Sequence, residues 1–334
     1  MSSNRHAPVL KQRGLLLVLL AGLTFVYASC SKPDSNSPAL SSITDLINTG
    51  SRFTLLKAAV TRAGLDATLG QPGTYTVFAP SDDAFKAFGY TNVNAINAAP
   101  SELLRTILQY HVLGSRLGST DFPVGINTAR PTLANGLPLY VSRTVSATAT
   151  STSSGTISVN GARIIQADGI ASNGVLHAID RILIPPAFGT IQATLQNIPV
   201  LVPTASFRLL QAAVTKAGVG TALTGTGPTT VFAPTDAAFI AVGYDSAAIA
   251  KASAATLANV LAYHLVNDRL YTPLITSGSS LTTVQGGTIT ASISTTALTV
   301  TGKGNGTTPS NITVPDVSAT NGVVHIIDRL LLPQ

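Results

Sequence analysis

The sequence predicts an α+β protein built from two homologous domains in tandem. Residues 53–90 align without gaps on residues 207–244, and more than half of the aligned positions are identical. In each copy, segments with the apolar spacing of helices come first, and short Ser/Thr-rich segments separated by turn residues follow. This order indicates a mostly antiparallel sheet or sandwich with helices gathered on one side. We place domain 1 at residues 39–186 and domain 2 at residues 187–334, joined at Pro185-Pro186.

The first long helix of each domain has a clear end. Phe53, Leu56 and Val60 keep helical spacing, and Gly64 is placed to end the helix, as Gly218 is in domain 2. Glycine suits this position because it adopts the left-handed conformation that closes many helices.

A strand and two further helices follow in domain 1. Residues 74–78 have the composition of a strand, and Ser81 behind them is a good N-cap, a position that Thr235 takes in domain 2. A helix beginning near Ser101 carries apolar residues and His111 on one face. Later strands are predicted at residues 137–142, 156–160 and 163–167, with counterparts at 281–285, 288–293 and 298–301.

Each domain closes with nearly the same segment. Residues 173–185 are NGVLHAIDRILIP and residues 321–333 are NGVVHIIDRLLLP. Asn-Gly predicts a turn, and both alternating faces of the run that follows are mainly apolar, which is typical of a central strand covered on both sides. Polar groups in such a strand need hydrogen-bonding partners, so we expect structural core roles for His177, Asp180, Arg181, His325, Asp328 and Arg329.

The N-terminus has the pattern of an export signal. Basic residues precede a short apolar run and then Ala28, Ser29 and Cys30, the only cysteine of the chain. These last residues resemble the cleavage and acylation site of bacterial lipoprotein precursors. We therefore predict a signal peptide at residues 1–30 that ends at a lipidated Cys30, and a polar tether at residues 31–38. A plain signal peptide with an incidental cysteine is the alternative.

The charge of the chain argues against nucleic acid as a partner. Removing Arg5, Lys11 and Arg13 with the leader lowers the net charge from +6 to +3. The remaining basic residues form no cluster along the sequence, whereas nucleic-acid binding calls for a basic patch or stripe.

Three motifs, each present twice, carry a resemblance to a known family. They are TVFAPSD at residues 76–82 with TVFAPTD at 230–236, the pairs Tyr110-His111 and Tyr263-His264, and the two closing segments. With these motifs the chain resembles two tandem fasciclin domains. The resemblance implies a wedge-shaped antiparallel β-sandwich with a helical cap, found in secreted or anchored adhesion proteins. It implies no general catalytic activity.

The resemblance also points to two recognition stretches. One is the approach to the closing strand, with Asp316 and Val317 in domain 2 and Asp168 and Ile170 in domain 1, where Gly169 replaces the aliphatic residue that follows the aspartate. The other is the helix that carries Tyr110, His111, Tyr263 and His264. We expect ligand contacts at these residues, with an exposed approach around Asp316. The alternative is that they only shape the turn before the final strand.

The sequence gives little support for a metal site, a serine hydrolase or a phosphate-binding loop. Each domain offers two histidines, no cysteine and few carboxylates, so a structural imidazole is favoured over a metal site. No G-x-S-x-G motif occurs, and Ser81 becomes Thr235 in the copy, which favours a cap over a nucleophile. Residues 302–306 (GKGNG) lack the Ser/Thr of a phosphate loop and are expected to form a flexible hairpin tip. We predict no catalytic residue, metal or cofactor.

These observations predict a non-enzymatic adhesion or scaffold lipoprotein of the cell envelope. Its expected partners are the extracellular matrix, a glycan or a neighbouring envelope protein, and its lipid anchor would hold it at the outer membrane, facing the periplasm or the cell surface. The alternative is an accessory capture lipoprotein of an outer-membrane nutrient-import system.

Overall fold

The computed structural model describes residues 40–145, 155–202, 205–294 and 298–334. They belong to one compact unit, Ala39–Gln334. The predicted signal peptide, Cys30 and the tether lie outside the described residues. No helix in the described part of the chain has the length and apolar character needed to cross a membrane.

Domain 1 contains helices on the N-terminal side and strands on the C-terminal side, with one strand between the helices. Its described helices are α1 (Ile43–Thr49), α2 (Thr54–Ala63), α3 (Asp66–Gly70), α4 (Asp82–Ala87), α5 (Val93–Ala98) and α6 (Ser101–Tyr110). Its described strands are β1 (Tyr75–Pro80), β2 (Val112–Leu113), β3 (Gly125–Pro131), β4 (Pro138–Val145), β5 (Gly155–Val159), β6 (Ala162–Ala171) and β7 (Gly174–Ile179).

Domain 2 repeats this order. Its described helices are α7 (Ile191–Leu201), α8 (Arg208–Ala217), α9 (Gly220–Thr224), α10 (Asp236–Ile240), α11 (Ser246–Lys251) and α12 (Ala254–Ala262). Its described strands are β8 (Thr229–Pro234), β9 (Leu265–Val266), β10 (Ser280–Thr282), β11 (Thr288–Ile293), β12 (Leu298–Gly302), β13 (Ser310–Ala319) and β14 (Gly322–Ile327). Short 3-10 helices occur at Ser119–Asp121, Thr272–Leu274 and Lys303–Asn305.

Each domain has its own sheet of seven described strands. The strand order is β2-β1-β7-β6-β5-β4-β3 in domain 1 and β10-β11-β12-β13-β14-β8-β9 in domain 2. The closing strands β7 and β14 lie inside their sheets, and all six residues of each are buried, as the two apolar faces predicted. Each closing strand pairs in parallel with the first strand of its domain, whereas its other neighbour is antiparallel.

The helix ends confirm the capping predictions. Gly64 and Gly218 cap α2 and α8 with φ of 67° and 69°. The Ser81 hydroxyl accepts a hydrogen bond from the backbone N–H of Ala84 at 3.2 Å, and Thr235 does the same for Ala238 at 3.3 Å. These bonds satisfy amides that the first turn of a helix leaves unpaired.

The core of domain 1 lies on both faces of β1 and β7. Val77 and Leu176 point toward the helices α1–α6, while Phe78 and Ile179 point toward the part of the sheet formed by β3–β5. The helices thus cover one face, and the sheet curls to cover the other. Domain 2 divides its core in the same way around Val231 and Phe232.

Three details of the sequence prediction are wrong. β7 and β14 end before Asp180 and Asp328, so the predicted strands extend too far. The stretches around Asp168 and Asp316, expected at the turn before the final strand, lie within the long strands β6 and β13. Residues 302–306 are not a flexible tip, because the Asn305 side chain donates to the Leu330 carbonyl and accepts from the Leu332 amide.

Candidate functional site

Two equivalent aspartates stand at irregular points of the long strands. Asp168 lies in β6 and Asp316 in β13, where the pairing with the closing strand shifts register. Both have positive φ, 60° and 64°. A left-handed conformation is uncommon for residues other than glycine, although Asp tolerates it better than most.

The two carboxylates are held by the same set of groups. Asp168 accepts hydrogen bonds from the Ser119 amide at 2.7 Å and the Ser119 hydroxyl at 2.5 Å. Asp316 accepts from the Thr272 amide at 2.7 Å and the Thr272 hydroxyl at 2.6 Å. We name these sets the Asp168 site (Asp168, Ser119, His177) and the Asp316 site (Asp316, Thr272, His325).

A buried histidine supports each aspartate from behind. The backbone N–H of Asp168 donates to Nδ1 of His177 at 3.2 Å, and that of Asp316 donates to Nδ1 of His325 at 3.1 Å. Nδ1 is therefore the acceptor, and Nε2–H donates to the carbonyl of Leu117 or Leu270. Burial lowers the pKa of both histidines, in keeping with these neutral rings. In both domains the ring nitrogens contact backbone groups, which is a structural geometry.

The two sites differ in what lies over the carboxylate. The Arg181 guanidinium of domain 1 donates to Asp316 at 2.5 Å and to the Thr272 hydroxyl at 3.0 Å. Asp316 is only 6% exposed and Val317 is fully buried, so the expected exposed approach around Asp316 is wrong. Asp168 is exposed, and among the described residues no basic side chain forms a salt bridge with it.

Further contacts between the domains surround the Asp316 site. The Arg269 guanidinium lies 4.1 Å from the centre of the Tyr140 ring, and the Asn127 side chain donates to the Arg269 carbonyl at 2.8 Å. A Cβ atom on Gly161 would overlap the Asp316 carboxylate, so the turn between β5 and β6 lies directly against it. We name the whole set the interdomain contact; its members are Asn127, Tyr140, Gly161 and Arg181 of domain 1 and Arg269, Tyr271, Thr272 and Asp316 of domain 2.

The tyrosine-histidine pairs lie inside the domains. Nδ1–H of His111 donates to the Ile107 carbonyl at 2.7 Å, and Nε2 accepts from the Leu183 amide at 2.9 Å. Burial lowers the pKa of His111 to about 4. The Tyr110 hydroxyl donates to the Pro138 carbonyl at 2.8 Å, and burial raises its pKa.

The second pair has the same geometry. His264 donates to Val260 at 2.8 Å and accepts from Leu331 at 2.9 Å, while Tyr263 donates to Thr288 at 2.5 Å. All four side chains of the two pairs are at most 2% exposed, so a ligand at the surface does not reach them. Their geometry fixes the closing segment to the helix end.

The four charged residues just past the closing strands were predicted to be structural core groups, but the structure gives them other positions and partners. Asp328 is exposed and accepts hydrogen bonds from the amide and side chain of Asn311, which tie it to β13. Asp180 accepts from the Arg163 amide at 2.7 Å, and burial raises its pKa. Arg181 is the ion-pair partner of Asp316 described above. Arg329, its counterpart, forms no salt bridge among the described residues.

Two cavities lie along the exposed part of β6. One of about 370 Å³ borders the Asp168 site and is lined by Ser119, Arg143 and Ile164, among others. Another of about 410 Å³ lies on the helical side, between the α1–α2 connection and β6–β7. Within the described ranges, no three His, Cys, Asp or Glu side chains come close enough together to hold a metal ion.

Comparisons with known proteins agree with the architecture. The family model described as Fasciclin domain matches residues 51–185 and 205–333. Transforming growth factor-beta-induced protein ig-h3 of Sus scrofa is 29% identical over 263 residues, which are 79% of this chain and 35% of that protein. Periostin of Homo sapiens is 28% identical, over 78% of this chain and 29% of that protein. The chain thus spans about a third of the length of these two relatives.

A solved structure is also similar. It is a FAS1 domain pair from the insect cell adhesion molecule fasciclin I, with 22% sequence identity and a TM-score of 0.39. The match covers 84% of this chain and 97% of that one.

Proposed function

Because the chain belongs to the fasciclin family, we propose that it is an adhesion or scaffold protein of the cell envelope that acts by binding and not by catalysis. The proposed partner is a matrix protein, a glycan or a neighbouring envelope protein. Family membership supports the adhesion role. The pattern around Cys30 supports attachment through a lipid anchor and a position at the outer membrane.

One observation supports domain 1 as the binding domain. The Asp168 site is exposed, whereas its equivalent in domain 2 is covered by Arg181. Ile170 beside it is 46% exposed and Ile165 is 49% exposed. An accessible carboxylate beside apolar side chains on a strand is a suitable contact surface, and irregular points of strands often lie next to functional sites.

The adhesion proposal is tested by deleting the gene and measuring attachment of the cells to surfaces. Complementation with the wild-type chain should restore attachment, and the purified wild-type chain should bind a ligand on matrix-protein or glycan arrays. Unchanged attachment in the deletion strain, together with no array ligand, would contradict the proposal. Copurification with a transporter and a growth defect on one polymer would favour nutrient capture instead.

The lipid anchor is tested separately. The wild-type chain should incorporate radiolabelled palmitate and stay with the membrane fraction. The Cys30→Ser variant should leave the membrane fraction, because an acyl chain contributes about 0.8 kcal/mol of membrane affinity for each buried methylene. Identical membrane retention of both forms would rule out lipidation at Cys30.

A further inference from the structure

We propose that the Asp168 site of domain 1 binds an arginine side chain presented by a partner protein. The inference rests on the proposed adhesion role and names the chemistry of the group that the binding face recognises. It is drawn from the internal repeat, because the same site occurs twice in this chain and one copy is occupied.

The occupied copy shows what the site accepts. In the Asp316 site the Arg181 guanidinium reaches both the carboxylate and the Thr272 hydroxyl. Both bonds come from the same nitrogen, Nη1. A guanidinium is less strongly hydrated than an ammonium group and its nitrogens are fixed in one plane, so arginine suits these two acceptors better than lysine does.

The open copy keeps the acceptor geometry. Ser119 orients the Asp168 carboxylate through the same two hydrogen bonds that Thr272 supplies to Asp316, with distances that agree within 0.1 Å. Burial raises the pKa of Asp168, but the hydrogen bonds from Ser119 offset this and the net pKa is lowered. The carboxylate is therefore ionised at neutral pH and ready to accept a cation.

The charges around the two sites also correspond. Arg116 donates to the Ala171 carbonyl beside the Asp168 site, as Arg269 donates to the Ala319 carbonyl beside the occupied Asp316 site. Arg269 thus does not prevent Arg181 from binding at the Asp316 site, and Arg116 need not prevent a partner's arginine from binding at the Asp168 site. Domain 1 adds Asp121, whose carboxylate accepts from the Gly118 amide next to Ser119. Leu274 stands at the equivalent position of domain 2.

An arginine alone would bind weakly. An exposed ion pair strengthens binding by no more than about fivefold, so useful affinity needs additional apolar contact. Ile165 and Ile170 supply exposed apolar side chains near Asp168, and Ile165 also lines the cavity of about 370 Å³. We therefore expect the partner to carry an apolar or aromatic residue close to its arginine, as domain 1 presents Tyr140 together with Arg181 in the interdomain contact.

The test is a selection of random twelve-residue peptides displayed on phage against the purified full chain. The enriched peptides should share an arginine next to an apolar residue. Replacing that arginine by lysine, or Asp168 by Asn in the chain, should weaken binding by up to about fivefold, the range expected for an exposed ion pair. Asp83→Asn removes an exposed carboxylate that belongs to α4 and not to the site, and it should leave binding unchanged.

Any of three results of the peptide selection would overturn the assignment. They are no enriched peptide, enriched peptides without a shared arginine, and unchanged binding to Asp168→Asn that has the same thermal unfolding as the wild type. The chain could also self-associate by placing Arg329, the counterpart of Arg181, in the Asp168 site of a second copy. Self-association that Arg329→Ala abolishes would therefore overturn the proposal of a different partner protein. Attachment that is lost on gene deletion but retained in Asp168→Asn would refute the arginine site and leave the adhesion role intact.

Discussion

His111 and His264 are bases that the fold keeps neutral. Each ring donates through Nδ1–H to a carbonyl one helical turn earlier and accepts through Nε2 from the amide of Leu183 or Leu331. A protonated ring has no acceptor nitrogen, so protonation breaks the bond to the closing segment. These two residues therefore tie the end of each domain to its helix at neutral pH.

The first prediction is a loss of stability in mild acid. Burial lowers the pKa of both rings from 6.5 to about 4, so the unfolded chain binds more protons than the folded chain between these values. The contribution of each neutral ring to the free energy of unfolding is complete above about pH 6.5. It falls by about 3 kcal/mol for each ring as the pH drops toward 4. Urea unfolding at several pH values measures it.

The control is the double variant His111→Gln and His264→Gln, which lacks these two titrating groups. Its free energy of unfolding should depend less steeply on pH in this range than that of the wild type, although His177 and His325 still contribute in the same direction. Equal slopes for the two proteins would contradict the assignment of neutral, buried rings.

The second prediction compares the two aspartates. Asp316→Asn removes the charge beneath Arg181 and should cost about 1–3 kcal/mol, because buried donors lose their charged acceptor. Asp168→Asn keeps a residue that tolerates positive φ and should cost less than about 1 kcal/mol, since its carboxylate is exposed. Denaturant unfolding of both variants measures the difference, and equal costs would show that the interdomain ion pair adds nothing to stability.

At the scale of elements, one asparagine joins two helices to the start of each closing strand. The Asn173 side chain accepts from the Ile43 amide and donates to the carbonyls of Leu69 and Gln71. Asn321 makes the same three contacts in domain 2, to Ile191, Leu223 and Gly225. The Asn-Gly that predicted a turn from the sequence thus also carries a buried hydrogen-bond network.

The third prediction follows from this network. Asn173→Ala should destabilise the chain by about 1–3 kcal/mol for each buried group it leaves unpaired. Asn92→Ala is the matched control, because Asn92 only caps the exposed start of α5 and should cost about 1 kcal/mol. Thermal unfolding ranks the two variants, and a larger effect of Asn92→Ala would refute the network.

The fourth prediction concerns the turn between β5 and β6. Gly161→Ala places a methyl group against the Asp316 carboxylate and should cost about 1–3 kcal/mol more than Gly136→Ala. Gly136 is the control because it has a similar positive φ, 72° against 86°, and open space around it. Equal effects on unfolding would mean that the turn does not touch domain 2.

The sequence predicted the elements better than the contacts between the domains. Repeated motifs located the closing strands, and capping residues located the helix ends, because both signals are local. The ends of β7 and β14 were missed, since Asp180 and Asp328 interrupt an apolar run that continues to Pro185 and Pro333. The family motif placed the candidate site at equivalent residues of both domains, and it contains nothing to show that one copy is covered.

The signal for that asymmetry lies where the repeats differ. The strand order makes β11 the equivalent of β4, so the predicted counterpart at residues 281–285 is wrong. Thr290 of β11 replaces Tyr140, which stacks on Arg269. The tight turn at Gly161 gives way in domain 2 to the longer connection around Lys303–Asn305. Because of these two differences, one face of domain 1 can cover domain 2. The sequence does not show which residues of domain 2 Tyr140 and the Gly161 turn contact; the folded structure does.

At the scale of the whole molecule, the interdomain contact makes the two domains unequal. It joins them through an ion pair, a cation–π contact and a closely apposed turn, so we expect a fixed arrangement of the two domains. It covers the Asp316 site and leaves the Asp168 site accessible. A tandem of two similar domains thereby presents a single accessible copy of the site, in domain 1.

Amide hydrogen exchange measured at two equivalent backbone groups tests this inequality most directly. The Thr272 and Ser119 amides donate to their aspartates at the same distance, 2.7 Å, but only Thr272 lies beneath the other domain. We predict that Thr272 exchanges on the order of 100-fold more slowly than Ser119, and that Gly161→Ala removes most of the difference. Equal exchange of the two amides in the wild-type chain would contradict the claim that one site is closed and the other open.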